Sequence, residues 1–219
     1  MAEGTPFGEG LIIKKATQAD FQDILDFLNE DFLLNEPLMS SLDGKRHELE
    51  PLFIDWIKQG LAEPNLTYFV SSTETNKIVG LRLTSVIKRP LKHYFPQYEH
   101  YSADAIAKIV AVLENKTWEI LPLSVNQLAS LMILSVKKEF TRRGIAQKLV
   151  EYKLDEIKKA GCSGIITEAS AYKSQDLFAK VGFTVLHEIL HSDWKDESSQ
   201  VIFKSKDRTD RIQLNYIGL

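Results

Sequence analysis

The sequence predicts a single α/β domain over residues 1–219, with a mixed central β-sheet flanked by helices. Three observations carry that prediction. An early pair of strand-like runs is joined by a short polar turn. A long apolar strand passes through a basic loop directly into a helix. Strand and helix periods then alternate to the C-terminus.

Leu11, Ile12 and Ile13 read as a first strand. Thr17 and Asp20 have the spacing of a capping box for a helix carrying Phe21, Ile24, Leu25, Leu28 and Phe32. That helix is expected to break at Asn35-Glu36-Pro37-Leu38, because the residue before proline avoids helical dihedrals. A second helix is expected over 48–58, and a hairpin over 66–71 and 78–86 with its turn at 73–76. A loop rich in proline and aromatics follows, holding Tyr94, Phe95 and Tyr98. Ser102 is expected to cap a helix containing Ile106, Ile109, Val110 and Leu113. The strand over 131–136 then feeds the loop Lys137-Lys138-Glu139-Phe140-Thr141-Arg142-Arg143-Gly144-Ile145-Ala146. One long helix is expected from there, with Ala146, Leu149, Val150, Leu154 and Ile157 on its apolar face and Gly161 as its stop. Further strands are expected at 165–167 and 183–189, around a short helix over 174–180. Edge strands are expected at 201–203 and 212–217.

Composition limits the function. Net charge is −3 and the basic residues are scattered, which argues against a nucleic-acid partner. Cys162 is the only cysteine, which fits a reducing compartment. No apolar run approaches the ~20 residues needed to span a bilayer, and no signal-like N-terminus is seen, so a cytoplasmic protein without a membrane partner is expected. His187-Glu188-Ile189-Leu190-His191 matches the H-E-x-x-H zinc signature. Phe183, Val185, His187 and Ile189 alternate as on a strand, however, and zinc chemistry needs both histidines on one helical face. No metal is expected.

The basic loop is the chemical signal. It ends on a helix N-terminus, where free N–H groups and the helix dipole favour an anion, and Gly144 lets the backbone approach phosphates closely.

The order of elements and this loop resemble the GCN5-related N-acetyltransferases (GNAT), whose signature at this place is Q/R-x-x-G-x-G/A. Gly144 and Ala146 match it, with Thr141 at the first position; Lys180-Val181-Gly182-Phe183 matches a second family pattern. More narrowly, the chain resembles the invertebrate-type arylalkylamine N-acetyltransferases. The matches are Glu36-Pro37-Leu38, the serines Ser170 and Ser174, and the tail Ser192-Asp193-Trp194-Lys195-Asp196 with Val201-Ile202-Phe203-Lys204.

The resemblance implies a GNAT fold and acetyl transfer from acetyl-CoA to a small amine of the serotonin, dopamine, tyramine or tryptamine class. It implies coenzyme contacts at Leu134, Ser135, Val136, Thr141, Arg142, Arg143, Gly144, Ile145, Ala146, Ser174 and Lys180. Lys148 is a further candidate for the phosphates. Glu36 is the expected base, and Glu36, Pro37, Leu38, Tyr94 and Tyr98 the expected amine contacts, with Phe95 and Trp118 as further aromatic candidates. At the usual tyrosine-acid position stands Phe178, so Ser170, Ser174 or Tyr172 is left to assist. A polyamine or protein lysine is the rival acceptor, and a non-catalytic acyl-CoA-binding regulator the non-enzymatic alternative. A monomer or weak dimer is expected.

Overall fold

The structure, a computed structural model, describes residues 4–63, 65–89 and 97–219. Eight strands form one sheet: β1 (Thr5–Gly8), β2 (Leu11–Lys15), β3 (Tyr68–Ser72), β4 (Ile78–Lys88), β5 (Gln127–Val136), β6 (Gly164–Ala169), β7 (Thr184–Leu190) and β8 (Arg211–Gly218). Their order across the sheet is β1-β2-β3-β4-β5-β6-β8-β7. Only β5 and β6 run parallel. β3 and β4 are almost wholly buried, as central strands covered on both faces must be.

The helices are α1 (Phe21–Phe27), α2 (Leu33–Asn35), α3 (Pro37–Ser41), α4 (Arg46–Ala62), α5 (Tyr101–Ile120), α6 (Ile145–Glu151), α7 (Leu154–Lys159) and α8 (Tyr172–Lys180). α1, α4 and α5 cover one face of the sheet through Ile24, Leu25, Leu52, Phe53, Ile106 and Leu113. α6, α7 and α8 cover the other through Leu149, Val150, Ile157 and Phe178. α4 lies close on β4 at Gly60, where an added Cβ would overlap the Leu83 side chain.

The expected hairpin is present, with Asn76 at φ 54 in its turn. The Thr17–Asp20 pair is also present: the Thr17 amide and hydroxyl both donate to Asp20 Oδ2, at 2.8 and 2.7 Å. Ser102, by contrast, lies inside α5, and its hydroxyl donates to Glu48 Oε2 at 2.9 Å.

Three expectations are corrected. First, the long helix is two helices, α6 and α7, separated at Tyr152 and Lys153, where Lys153 has φ 53. The cause is remote in sequence. Arg82 on β4, 1 % exposed, donates to the carbonyls of Leu149 at 2.8 Å, Tyr152 at 2.6 Å and Leu66 at 3.1 Å. It supplies the donors that α6's last carbonyls lack.

Second, β8 is not an edge strand, because it inserts between β6 and β7. Third, 201–203 is not a strand; it makes one bridge, Lys195 to Val201, and buries Phe203 in the core. The sequence reading also missed β1, an exposed edge strand. The H-E-x-x-H stretch lies on β7 and the turn after it, where Glu188 pairs with Arg211 at 2.8 Å. No helix among the described residues is long and apolar enough to cross a membrane.

Candidate active site

The site begins with a seam in the sheet. β5 pairs with β6 only at Ala129–Ile165 and Ser130–Ile166. The Thr167 hydroxyl donates to the Leu131 carbonyl at 2.9 Å, and beyond that point the strands diverge. On its other edge β5 carries a bulge: Leu83 faces Ile133 while Thr84 faces Leu131, so Met132 is the extra residue. Met132 and Ile133 therefore both pack on the α1/α4/α5 face. Lys137 N–H donates to Val79 O at 2.9 Å. Antiparallel alternation then turns the N–H groups of Leu134 and Val136 away from β4, to the side that β6 has left.

A short 3-10 turn, Lys138–Phe140, follows β5. Thr141 Oγ1 donates to Lys138 O at 2.8 Å. Arg142 has φ 62, and Gly144, the residue before α6, has φ 74. A Cβ at Gly144 would meet nothing within 4 Å, so the space over this loop is open to a ligand. Arg143 stacks on Phe140 at 4.9 Å, and Lys148 lies 5.7 Å from the Phe7 ring. Lys180 is exposed in the last turn of α8.

On the opposite face lies a cavity of about 480 Å³ between α4, α5, the start of α3 and the β5–β6 seam. Glu36 enters it from the joint that the sequence anticipates. A wide helical turn, Leu28–Phe32, precedes α2, and Asn35 donates to Asp31 O at 2.8 Å. Pro37 starts α3 while Glu36 is extended, with ψ 125. Glu36 Oε2 accepts the Met39 N–H at 2.7 Å, whereas Oε1 is buried and makes no hydrogen bond. Burial raises the Glu36 carboxyl above the usual range, against the pull of the Met39 amide, the Ser170 hydroxyl and the Leu38 amide.

Of the other expected residues, Ser170, Leu38 and Tyr98 line the cavity with Glu36. Tyr98 OH donates to Asp55 Oδ2 at 3.0 Å. Pro37 is buried in α3. Ser174 donates to Ala171 O at 2.7 Å within the first turn of α8 and does not line the cavity. The Tyr172 ring is stacked under Arg208 at 4.0 Å, and Phe178 is buried 5.0 Å from Phe183. Trp118 does not line the cavity either; Arg89 stacks on it at 4.8 Å. Tyr94 and Phe95 lie outside the described residues.

The sequence reading missed Phe32, Trp56, Asp55, Glu114 and Glu168, all of which line this cavity. One signal was available. Glu168 falls two residues after Ile166, on the face of β6 that α1, α4 and α5 cover, where an apolar side chain is expected. Glu168 is pushed up to about 8 by burial and by the charge of Glu114, and burial raises Glu114 as well.

Comparison with known proteins gives this geometry a family. A model of the acetyltransferase (GNAT) family matches residues 21–183. No curated protein sequence matches the chain. Among solved structures, arylalkylamine N-acetyltransferase 2 from Aedes aegypti superposes with a TM-score of 0.83 at 21% identity, over 95% of this chain and 98% of that one. The Drosophila melanogaster polyamine N-acetyltransferase, described as forming N-acetylagmatine, superposes at 0.81 with 14% identity, over 95% and 100% of the two chains. At these identities the superpositions speak for the fold. With the family match over most of its length, the chain belongs to the GNAT acetyltransferase family, whose members use acetyl-CoA.

Proposed function

We propose that the chain transfers acetyl from acetyl-CoA to the primary amine of a small alkylamine, with Glu36 as general base. The carrying observation is the Glu36 carboxyl: buried, raised above its ordinary range, held by one amide and with Oε1 free inside a substrate-sized cavity. An alkylammonium of pKa ~10.4 is neutral at pH 7 in about one molecule per few thousand, so reaching the nucleophile costs about 4–5 kcal/mol. A carboxylate of raised basicity takes that proton more readily than an ordinary one, and its charge first attracts the ammonium.

Acetyl-CoA supplies the acyl group. The loop at Thr141, Arg142, Arg143, Gly144, Ile145 and Ala146 is assigned to its phosphates, with Lys180 and Lys148 as outer cations. The open space above Gly144 and the unused N–H groups at the start of α6 support that assignment. Leu134, Ser135 and Val136 are assigned to its arm, and the two outward N–H groups of Leu134 and Val136 can polarise a carbonyl in the seam. Ser170, on the cavity wall beside Glu36, is assigned to the leaving thiolate. That thiolate has a pKa near ~8.5 and needs little assistance. Ser174 is assigned to holding the start of α8 next to the coenzyme path.

Phe32, Trp56 and Tyr98 support the arylalkylamine class as acceptor, since flat apolar walls suit an aromatic ring, and Leu38 adds to the wall. The acids Glu114 and Glu168 favour a second reading, a polyamine-type acceptor. The proposal includes a cytosolic enzyme, for which the buried free thiol of Cys162 suits a reducing compartment.

The test is thiol release from acetyl-CoA against arylalkylamines, polyamines and a lysine peptide, for the wild type and Glu36→Gln. Glu36→Gln is expected to lower kcat by about 10²-fold or more while CoA affinity is kept. An unchanged kcat and pH–rate profile would remove Glu36 from the base role.

A further inference from the structure

Glu114 on α5 and Glu168 on β6 meet at one cavity, and no cation among the described residues answers them. Among the described residues neither forms an ion pair with lysine or arginine. Lys58, the only lysine on the cavity wall among the described residues, is exposed. Glu168 Oε1 is sealed from bulk water and has no hydrogen-bond partner. Two half-buried carboxyls with no counter-charge among the described residues are costly, and apolar side chains such as Ile106 and Ile212 stand nearby as the ordinary filling. A purely structural role gives no reason for that cost. No group of three or more metal-ligating side chains gathers among the described residues.

Glu36 already serves the reacting ammonium. Ser170 lies just past the end of β6, two positions after Glu168, so chain reach keeps the serine beside Glu36 within about 7 Å of Glu168. That separation is one short aliphatic or aryl spacer.

We propose that Glu114 and Glu168 form a subsite for a second cationic group on the acceptor, so that the preferred acceptors are dibasic: diamines or guanidinoalkylamines. The aromatic wall then holds the spacer, and simple arylalkylamines bind without the second anchor. The inference rests on the acetyl-transfer reading above and names its substrate class.

The test is calorimetric titration of the CoA-saturated protein with cadaverine and agmatine, against pentylamine and phenethylamine as monobasic controls. The wild type is expected to bind the dibasic amines tighter by about tenfold or more, the scale of a buried charge pair. In Glu168→Gln and in Glu114→Gln that gap collapses, while CoA affinity shows that the fold survives. Equal binding of cadaverine and pentylamine, failure of the dibasic amines to bind, or a gap that persists in both variants would overturn the subsite. Turnover with acetyl-CoA is measured alongside. Selective binding without acetylation would defeat the acetyl-transfer reading and leave the subsite standing. Acetylation without selectivity would do the reverse.

Discussion

Replacing Glu168 by glutamine removes one buried acid while keeping its shape, and the effect on stability has a sign that pH exposes. The folded carboxyl titrates at about 8, against an ordinary value of 4.5, because burial and the charge of Glu114 both oppose ionisation. Above 4.5 the unfolded chain gives up this proton while the folded chain keeps it. Stability therefore falls as pH rises from about 4.5 toward 8. The slope is about 1.4 kcal/mol per pH unit, so between pH 5.5 and pH 8 the wild type loses about 3 kcal/mol through this group. Glutamine has no such term. Between pH 5.5 and pH 8, Glu168→Gln should gain about 3 kcal/mol on the wild type, about 6–12 °C in Tm for a chain of this size. Urea or thermal unfolding of both proteins at the two pH values measures this directly. Parallel pH dependences in the two proteins would mean that Glu168 is solvated and ionised in the folded state, and the reasoning about an unanswered charge would fall with it.

Three further outcomes follow from the geometry. Arg82→Leu strands the carbonyls of Leu149, Tyr152 and Leu66 and should destabilise the fold by about 3 kcal/mol or more, with early amide exchange in α6; a loss under about 1 kcal/mol would show that water replaces the guanidinium. Gly144→Ala costs about 1–2 kcal/mol in backbone strain at φ 74 and intrudes on the open space over the loop, so CoA should bind more weakly by calorimetry; unchanged affinity would place the phosphates elsewhere. Ser174→Ala should change kcat by no more than about threefold, because its hydroxyl is engaged with Ala171 O, whereas a loss of about 10²-fold would assign that hydroxyl to the chemistry.

What the sequence made legible was local. Thr17 with Asp20, the extended Glu36 before Pro37 and the 73–76 turn each follow from neighbours within a few residues. What it concealed was remote. The break between α6 and α7 depends on Arg82, some seventy positions away, and nothing in the helix pattern announces it. The place of β8 between β6 and β7 is a property of pairing rather than of composition. In the site, Glu36 and Ser170 were expected together and share the cavity, but the acid pair joins a helix and a strand 54 residues apart in sequence (168 − 114). Glu168 alone had a local trace, a carboxyl out of place on a core-facing strand position.

The seam between β5 and β6 has a mechanical meaning as well. Among the described residues, one half of the sheet, β1 to β5, meets the other, β6, β8 and β7, through two residue pairs, the Thr167 side chain and the Ser163 amide and hydroxyl that donate to Gln127 O just before β6. Pulled apart across this line, the molecule should yield there before any antiparallel neighbour separates. A ligand lying in the slot and bonding to Leu134 and Val136 would act as a stitch between two half-sheets. Saturation with CoA should then raise the force at which the halves part, and slow amide exchange on both lips of the slot together.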